Sequence, residues 1–262
     1  MTTGNRRDQR PDWVLDPNIL KESEQNIRTA PTIDFAEPFY PGKLIVFEGV
    51  DGSGKSTSLR NAADYLENRG IPVEVLDLLS PSCRQLPYFR TYADDPTTAL
   101  RGEIDQASLG IVCLGDRLMR FRTHYNKRLR EGTWLLCDRY VFTPIAETMA
   151  LGTQDDDVAT MISLAGRFPR PDLGFGPRVE PDIAIERIRQ RPKDQGKVLD
   201  PGFYRRAISS FHSLLGHHGF VDLDTRLGVD AALETMRAHL DPLVDSYLAE
   251  REKALAPRDL SA

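Results

Sequence analysis

Short apolar runs alternate along this chain with longer segments whose apolar residues recur at helical spacing. The first run, KLIVFEG, stops at a glycine, as buried parallel strands often do. The pattern predicts strands at 43–49, 71–79, 133–138, 171–179 and 219–224, and helices at about 55–69, 97–131 (two helices), 143–166, 183–191, 203–215 and 229–248. Run 171–179 is the weakest strand prediction, because glycines and a proline interrupt it.

This alternation predicts an α/β fold. Parallel strands need long crossover connections, so alternating strands and helices favour a five-stranded parallel sheet with helices on both faces. Ligands bind such sheets at the carboxyl ends of the strands. Residues 1–42 carry five prolines among polar residues, which predicts an N-terminal extension before a domain at 43–262.

Composition narrows the class of protein. The 262 residues suit one domain, and a net charge of −5 gives the chain no overall basic character for binding long nucleic acids. No apolar stretch approaches the roughly 18 residues of a membrane span, and the N-terminus lacks the apolar run of a signal peptide. We expect a cytoplasmic protein, because its cysteines lack the spacing of metal ligands or of a disulfide framework: Cys83, Cys113 and Cys137.

The stretch GVDGSGKS, residues 49–56, fits the pattern G-x-x-x-x-G-K-[ST] between a predicted strand and a predicted helix. Its glycines let backbone N–H groups converge on phosphate oxygens, and the helix N-terminus adds a positive dipole. Lys55 is expected to reach the β- and γ-phosphates of ATP, and Ser56 to bind Mg²⁺. The predicted ATP contacts are Gly49, Asp51, Gly52, Ser53, Gly54, Lys55, Ser56 and Thr57.

A second motif, TWLLCDRY, is an apolar strand that ends in Asp138, a carboxylate suited to orienting Mg²⁺. Motor ATPases often follow this aspartate with a glutamate that polarises water, whereas Arg139 follows here. An arginine suits a second, anionic substrate. The alternative is a surface ion pair between Asp138 and Arg139. No NKxD element is present, which weakens a GTPase interpretation.

Together, FEGVDGSGKST and DRY resemble the thymidylate kinase family of nucleoside monophosphate kinases. The resemblance runs from about residue 43 to about 240, and it includes LGDR, PDL, VEPD and the basic segment RIRQRPKDQGK. It implies a P-loop kinase fold with a basic lid at about 189–202, ATP as phosphoryl donor and a homodimer. The extension before Lys43 lies outside it.

By position, the resemblance also implies roles for single residues. Asp51 would contact the acceptor sugar, Arg139 would grip the acceptor phosphate, Arg117 would approach the base, and Arg84 would be a further phosphate contact. Some family members place an arginine inside the P-loop, but this chain does not. The cation that stabilises the transition state is therefore expected in the lid. The candidates are Arg189, Arg191, Lys193 and Lys197, and we predict that Arg191 is the catalytic one.

Two positions depart from the family pattern at the predicted acceptor site. Cys113 stands where a phenylalanine usually stacks on the base, and Glu147 stands where a tyrosine or phenylalanine lies near sugar and base. We hypothesise a rebuilt pocket in which Glu147 accepts hydrogen bonds from an amino-bearing or modified base or sugar. The alternative is that Glu147 pairs with Arg117 or Arg139 and that specificity is ordinary.

These observations predict an ATP-dependent kinase that transfers the γ-phosphoryl group to a pyrimidine or modified nucleoside 5′-monophosphate, with Lys55, Asp138, Arg139 and Arg191 as catalytic residues. One alternative is a nucleoside kinase, in which Glu48 or Asp138 would deprotonate a sugar hydroxyl. Another is a regulatory protein that binds ATP without turning it over. The retained arginine after Asp138 argues against a mere binder.

Overall fold

A computed structural model describes residues 30–152 and 155–255 of the chain. Its five strands form one parallel sheet in the order β2-β3-β1-β4-β5, which confirms the predicted α/β fold. In the central pair, Phe47 lies opposite Asp138, so the P-loop and the DRY motif leave the sheet side by side. The strands are β1 (Leu44–Phe47), β2 (Val73–Leu76), β3 (Trp134–Asp138), β4 (Leu173–Arg178) and β5 (Val221–Asp224).

Helices cover both faces of this sheet. The helices are α1 (Lys55–Asn68), α2 (Pro81–Arg84), α3 (Pro87–Asp94), α4 (Thr97–Leu100), α5 (Gln106–Arg120), α6 (Asn126–Arg130), α7 (Phe142–Ala150), α8 (Asp155–Ala165), α9 (Pro181–Arg189), α10 (Pro201–His217) and α11 (Val229–Leu255). A π-helical turn, Phe121–Tyr125, and a 3₁₀ turn, Pro192–Asp194, complete the elements. None of the helices in the described ranges is long and apolar enough to cross a membrane.

The two faces of the sheet carry separate hydrophobic clusters. Leu44 and Val46 of β1 pack into one cluster with α5, α7, α8 and α10, whereas Ile45 and Phe47 pack into the other with α1 and α11. This division follows from the strand period of two, which sends successive side chains to opposite faces. The residues of α5, α7 and α10 that line the site therefore share one face of the sheet.

Several helices differ from the prediction because polar caps, rather than apolar periodicity, set their ends. Asp105 starts α5 by accepting from the N–H of Ala107 and of Ser108, and Ser80 starts the unpredicted α2 by accepting from the N–H of Cys83. The expected helix at 143–166 is two helices, α7 and α8, and α11 runs on to Leu255. Short capped helices carry too few apolar residues for periodicity to reveal them.

The doubtful strand at 171–179 is present as β4, and its glycines have a packing role. A Cβ atom at Gly174 would lie 2.5 Å from the ring of Phe220, and one at Gly176 would lie 3.1 Å from Leu215. The glycines therefore let Phe220 and the end of α10 approach the sheet backbone closely. Pairing of β4 with β1 ends at Phe175, before Pro177, so the proline interrupts no bond with β1.

The described part of the N-terminal extension, residues 30–42, packs on the domain. Ile33 and Phe35 are buried, and Ala36 forms an isolated bridge with Pro169. The Thr32 hydroxyl contacts Nε2 of His217 at 2.8 Å, within hydrogen-bond range. The rest of the extension lies outside the described residues, and the domain boundary at 42/43 stays a prediction.

We expect Gly174→Ala to destabilise the fold, because the new methyl group would collide with Phe220. Overpacking of this kind typically costs roughly 1–3 kcal/mol. Gly216→Ala is the matched control, since a Cβ there meets nothing within 4 Å and the residue is helical. It should gain up to about 1 kcal/mol from helix propensity. Urea unfolding measures the change in unfolding free energy of each variant. Equal changes in the two variants would contradict the packing explanation.

Candidate functional site

Two cavities meet at the carboxyl edge of the sheet. The P-loop cavity has a volume of about 320 Å³, and the helical cavity, between α3, α5, α7 and α10, has a volume of about 200 Å³. The P-loop cavity is bounded largely by charged residues, and apolar residues make up most of the helical cavity. Four charged residues line both cavities and form the junction between them: Asp51, Arg84, Arg139 and Lys197.

The P-loop follows β1 and ends where α1 begins. Gly49, Gly52 and Gly54 have φ of 143°, 80° and 100°, a region that favours glycine. A Cβ at Gly52 would lie 2.3 Å from the carbonyl oxygen of Ala184, so α9 packs directly on the loop. Thr57 is exposed on the first turn of α1 and lies outside the lining of the P-loop cavity. Gly49 and Ser53 also lie outside this lining, whereas the remaining predicted ATP contacts line the cavity: Asp51, Gly52, Gly54, Lys55 and Ser56.

Lys55 is buried, and its Nζ donates a hydrogen bond to the carbonyl oxygen of Val50 at 2.9 Å. Burial, and then the nearby charge of Arg139, lower the pKa of Lys55 to about 8. A buried cation held against a single carbonyl is suited to an anion such as a phosphate. Ser53 supports the same interpretation, since its buried Oγ has no hydrogen-bond partner among the described residues.

Ser56 and Asp138 fit a magnesium ion bound to phosphates. Ser56 Oγ donates to Asp138 Oδ2 at 3.4 Å, and the buried Oδ1 of Asp138 has no partner among the described residues. No group of three or more potential metal-ligating side chains occurs in residues 30–152 and 155–255. Mg²⁺ does not need such a group, because it usually keeps waters and takes other ligands from the nucleotide.

Arg139 lies at the junction in a strained backbone conformation, with φ of 68°. Its guanidinium donates to Thr143 Oγ1 at 3.0 Å and pairs with Asp51, whereas it forms no ion pair with Asp138. Burial opposes the charge of Arg139, but Asp51, Glu147 and other carboxylates hold its pKa above the ordinary value. The arginine therefore faces the space between the cavities, as an anion-binding residue would.

Glu48 stabilises this arrangement, a role that no local sequence pattern predicts. The side chain is fully buried, and its Oε1 accepts from the N–H of Tyr140, Phe142 and Thr143 at 2.6, 3.1 and 3.2 Å. Its Oε2 accepts from the Thr143 hydroxyl at 2.5 Å. The carboxylate thus ties the end of β1 to the start of α7 and leaves no oxygen free to act as a base.

The predicted lid segment, 189–202, lies against the junction through a chain of ion pairs. Lys197 Nζ is 2.8 Å from Asp194 and 3.9 Å from Asp51, and Arg191 is 3.8 Å from Asp194. The N–H of Val198 donates to the carbonyl oxygen of Asp94 at 2.8 Å, which joins the lid to the end of α3. The buried carboxylate of Asp194, which orients these cations, was not predicted. Of the four candidate lid cations, Arg191, Lys193 and Lys197 line the P-loop cavity and Arg189 does not.

Arg84, the further phosphate contact implied by the resemblance, also reaches the junction. Its guanidinium pairs with Asp77 and lies 5.9 Å from the ring centroid of Phe89. Asp77 in turn caps the N–H of Leu79 just after β2 at 2.9 Å. The arginine is held in place on two sides, and its position is compatible with a phosphate bound between the cavities.

The helical cavity contains the remaining predicted residues. Arg117 is only 3% exposed, and its Nε and one terminal nitrogen have no hydrogen-bond partner among the described residues. Burial raises the pKa of Glu147 to about 7, although the charges of Arg139 and Arg117 oppose that rise. Glu147 forms no direct ion pair with either arginine. Cys113 is buried, and burial raises the pKa of its thiol to about 12, so it is a neutral wall residue.

A P-loop, a carboxylate suited to Mg²⁺, and a second cavity joined to the first by cations define a phosphotransferase with two substrate sites. The family model for thymidylate kinase matches residues 47–234, more than half of the chain. The chain therefore belongs to the thymidylate kinase family, and it is an ATP-dependent nucleoside monophosphate kinase.

Individual relatives agree with this assignment. A thymidylate kinase from Leptospira borgpetersenii is 34% identical over 178 residues, which cover 66% of this chain and 80% of the relative. One from Caldicellulosiruptor saccharolyticus is 25% identical over 207 residues, or 78% of this chain and 98% of the relative. One from a Synechococcus species is 27% identical over 212 residues, which cover 76% of this chain and 92% of the relative. The similarity therefore spans most of each relative.

We expect Glu48→Gln to lower the free energy of unfolding, because an amide cannot accept all of the hydrogen bonds that the carboxylate accepts. Loss of buried, charge-assisted bonds predicts a cost of roughly 2–4 kcal/mol in urea unfolding. Glu37→Gln, on an exposed ion pair, is the control and should change stability little. Unchanged stability with lost turnover would instead support Glu48 as a catalytic base.

Glu147 should make stability depend on pH. Its folded pKa lies above its ordinary value of 4.5, so its stabilising contribution is complete below pH 4.5 and is lost as pH rises through about 7. Relative to Glu147→Gln, the ligand-free wild type should lose about 2–3 kcal/mol of unfolding free energy between pH 5 and pH 8. Urea unfolding of both proteins across this range measures the difference. A difference that stays constant with pH would contradict the shifted pKa.

Proposed function

We propose that this enzyme transfers the γ-phosphoryl group of ATP to a pyrimidine nucleoside 5′-monophosphate bound in the helical cavity. The observation that carries the proposal is the junction, where charged residues line both cavities. Donor phosphates in the P-loop cavity and an acceptor phosphate at the junction would then lie next to each other. Such positioning, with electrostatic stabilisation, is most of what phosphoryl transfer requires.

On the donor side, the P-loop backbone and Lys55 bind the phosphates. Ser56 and Asp138 would hold Mg²⁺, which supplies charge neutralisation on the phosphate oxygens when bound. Arg191 is the proposed lid cation at the transferred group, and it lines the P-loop cavity beside Lys193. The ion pairs of the lid support closure over the donor, which excludes water and limits hydrolysis of ATP.

On the acceptor side, Arg139 and Arg84 grip the phosphate, and Asp51 contacts the sugar. Burial alone would raise the pKa of Asp51, but the charges of Arg139, Lys55 and Lys197 outweigh it and hold that pKa well below its usual range. Asp51 is thus a permanent carboxylate that orients cations or accepts from a hydroxyl. A base is not required, because the acceptor is already a phosphate. The buried hydrogen bonds of Glu48 argue against Glu48 as the base that the nucleoside kinase alternative requires.

The helical cavity supports an acceptor other than plain thymidylate. Cys113 provides less contact with a base than an aromatic ring does, and Glu147 places a carboxyl group beside the expected sugar and base. We infer that Glu147 accepts a hydrogen bond from an amino or hydroxyl group of a modified base or sugar. Exchange of Glu147 for tyrosine is expected to change the ranking of acceptors.

Family membership also supports a homodimer that acts in the cytoplasm, where ATP and nucleoside monophosphates occur. The outer face of α5 is one surface suited to a second copy, since Val112 and Met119 are 49% and 61% exposed there. Apolar side chains on an exposed helix face are compatible with such a contact. This assembly is part of the proposal.

The test is ADP release from Mg·ATP with a panel of 5′-monophosphates: dTMP, dUMP, UMP, CMP, dCMP, GMP and AMP. Free nucleosides and a reaction without acceptor are the negative controls. Turnover should require a monophosphate and favour a pyrimidine. Turnover with free nucleosides but not with monophosphates, or none with any acceptor, would overturn the proposal.

In the same assay, Arg139→Gln should lower kcat/KM for the acceptor by roughly 10²–10³, as loss of a buried charge contact does. ATP binding should change little, because Lys55 and the P-loop are retained. Arg170→Gln, on an exposed ion pair with Glu37, is the control.

A further inference from the structure

The helical cavity is longer than a single base requires. One face of α5 lines it with residues spaced by three or four positions: Gln106, Gly110, Cys113 and Arg117. The Cα atoms of Gln106 and Arg117 are about 16 Å apart, at a rise of 1.5 Å per residue. A pyrimidine ring that contacts Arg117 and Cys113 spans much less than this distance, so it cannot also reach Gln106.

Gln106 gives the far end of this cavity a polar group that needs a partner. It is the first residue of α5, it is 4% exposed, and its Oε1 has no hydrogen-bond partner in the described part of the chain. Tyr92 lines the same cavity, but its buried hydroxyl interacts with the Glu147 side chain, so Gln106 Oε1 is the atom on which the argument rests. Buried polar atoms without partners destabilise a fold, so their presence in a cavity points to a ligand that satisfies them.

The wall between the two polar ends is small and apolar. Leu109, Gly110 and Cys113 line it from α5, and Ala207 and Phe211 line it from α10. Behind the wall, Gly110 packs against Met161, since a Cβ there would lie 2.4 Å from the Met161 methyl carbon. Cys113 in place of an aromatic ring leaves the passage past the base open. This passage suits an apolar spacer rather than a charged one.

We propose that the natural acceptor is a pyrimidine nucleoside monophosphate whose base carries a substituent that ends in a hydroxyl or amino group, which donates to Gln106 Oε1. The inference rests on the proposed function, since it concerns the acceptor of the same reaction. The spacer lies along Cys113 and Leu109, and the terminal donor meets the carbonyl oxygen of Gln106, which can only accept. Gln106 is therefore a specificity residue, and it is remote from the transferred phosphoryl group.

The test compares two ligands that differ only in the terminal donor: 5-(3-aminopropenyl)-uridine monophosphate and its 5-propenyl counterpart, each in ribo and deoxyribo form. Calorimetry should show the amino ligand binding wild-type protein at least about tenfold more tightly, as one hydrogen bond to a buried group allows. Gln106→Leu, which keeps the shape but removes the amide, should abolish that difference. The same variant should raise the Tm of the ligand-free protein by about 2–4 °C, since it removes an unsatisfied buried polar atom.

Three outcomes would overturn the inference. They are equal affinities of wild type for the two ligands, a difference that persists in Gln106→Leu, and a lower Tm with equal weakening of both ligands, which indicates a structural role. Turnover of both ligands is measured separately. Binding that depends on Gln106 without phosphorylation of any monophosphate would refute the proposed function, and with it the role of this ligand as acceptor, but would leave the contact between Gln106 and the substituent supported.

Discussion

The site depends on one buried carboxylate, Glu48, which joins the strand that enters the P-loop to α7, a helix that lines the helical cavity. Parallel pairing alone brings Phe47 opposite Asp138, but it does not fix the turn that follows. Glu48 fixes that turn by accepting from three backbone N–H groups and the Thr143 hydroxyl. As a result, the backbone of Arg139 is held with a positive φ, and its side chain faces the space between the two cavities.

Near Glu48, the site contains several cations that are paired with carboxylates. Arg139 and Lys197 are close to Asp51, and Lys197 and Arg191 are close to Asp194. Burying these cations without partners would be costly, so the aspartates compensate for them in the absence of phosphates. Bound phosphates can replace part of this pairing. The cations are then already in position when the substrates arrive, which reduces the reorganisation needed for transfer.

Local sequence patterns are enough to predict the strands and the P-loop, because each depends on neighbouring residues. The acceptor roles of Asp51 and Arg84 are instead implied by the resemblance to the family. The spacing of Lys55 from Gly49 and the position of Arg139 after an apolar strand led directly to the site. The family pattern also places Cys113 and Glu147 at the acceptor site, and both line the helical cavity. Local sequence patterns do not predict that the site has two separate cavities, nor do they predict the ion pairs of the lid segment.

The missed residues act through contacts between distant parts of the chain. Glu48 bonds to groups 92 to 95 residues away, and no local periodicity encodes such a contact. Asp194 lies within the basic segment RIRQRPKDQGK, whose composition does not predict burial, yet the fold buries it beside Arg191 and Lys197. Gln106 looks like an ordinary first residue of a helix until the cavity beside it is known. Burial and cavities emerge only from the assembled fold.

The central claim is that the two cavities are the donor and acceptor halves of one reaction. Its most direct test is to incubate the enzyme with [γ-³²P]ATP, Mg²⁺ and the preferred monophosphate and to separate the products. Adjacent substrates at the shared junction predict that the label appears in the nucleoside diphosphate. Label found only in inorganic phosphate, or retained in ATP with every acceptor, would contradict the claim.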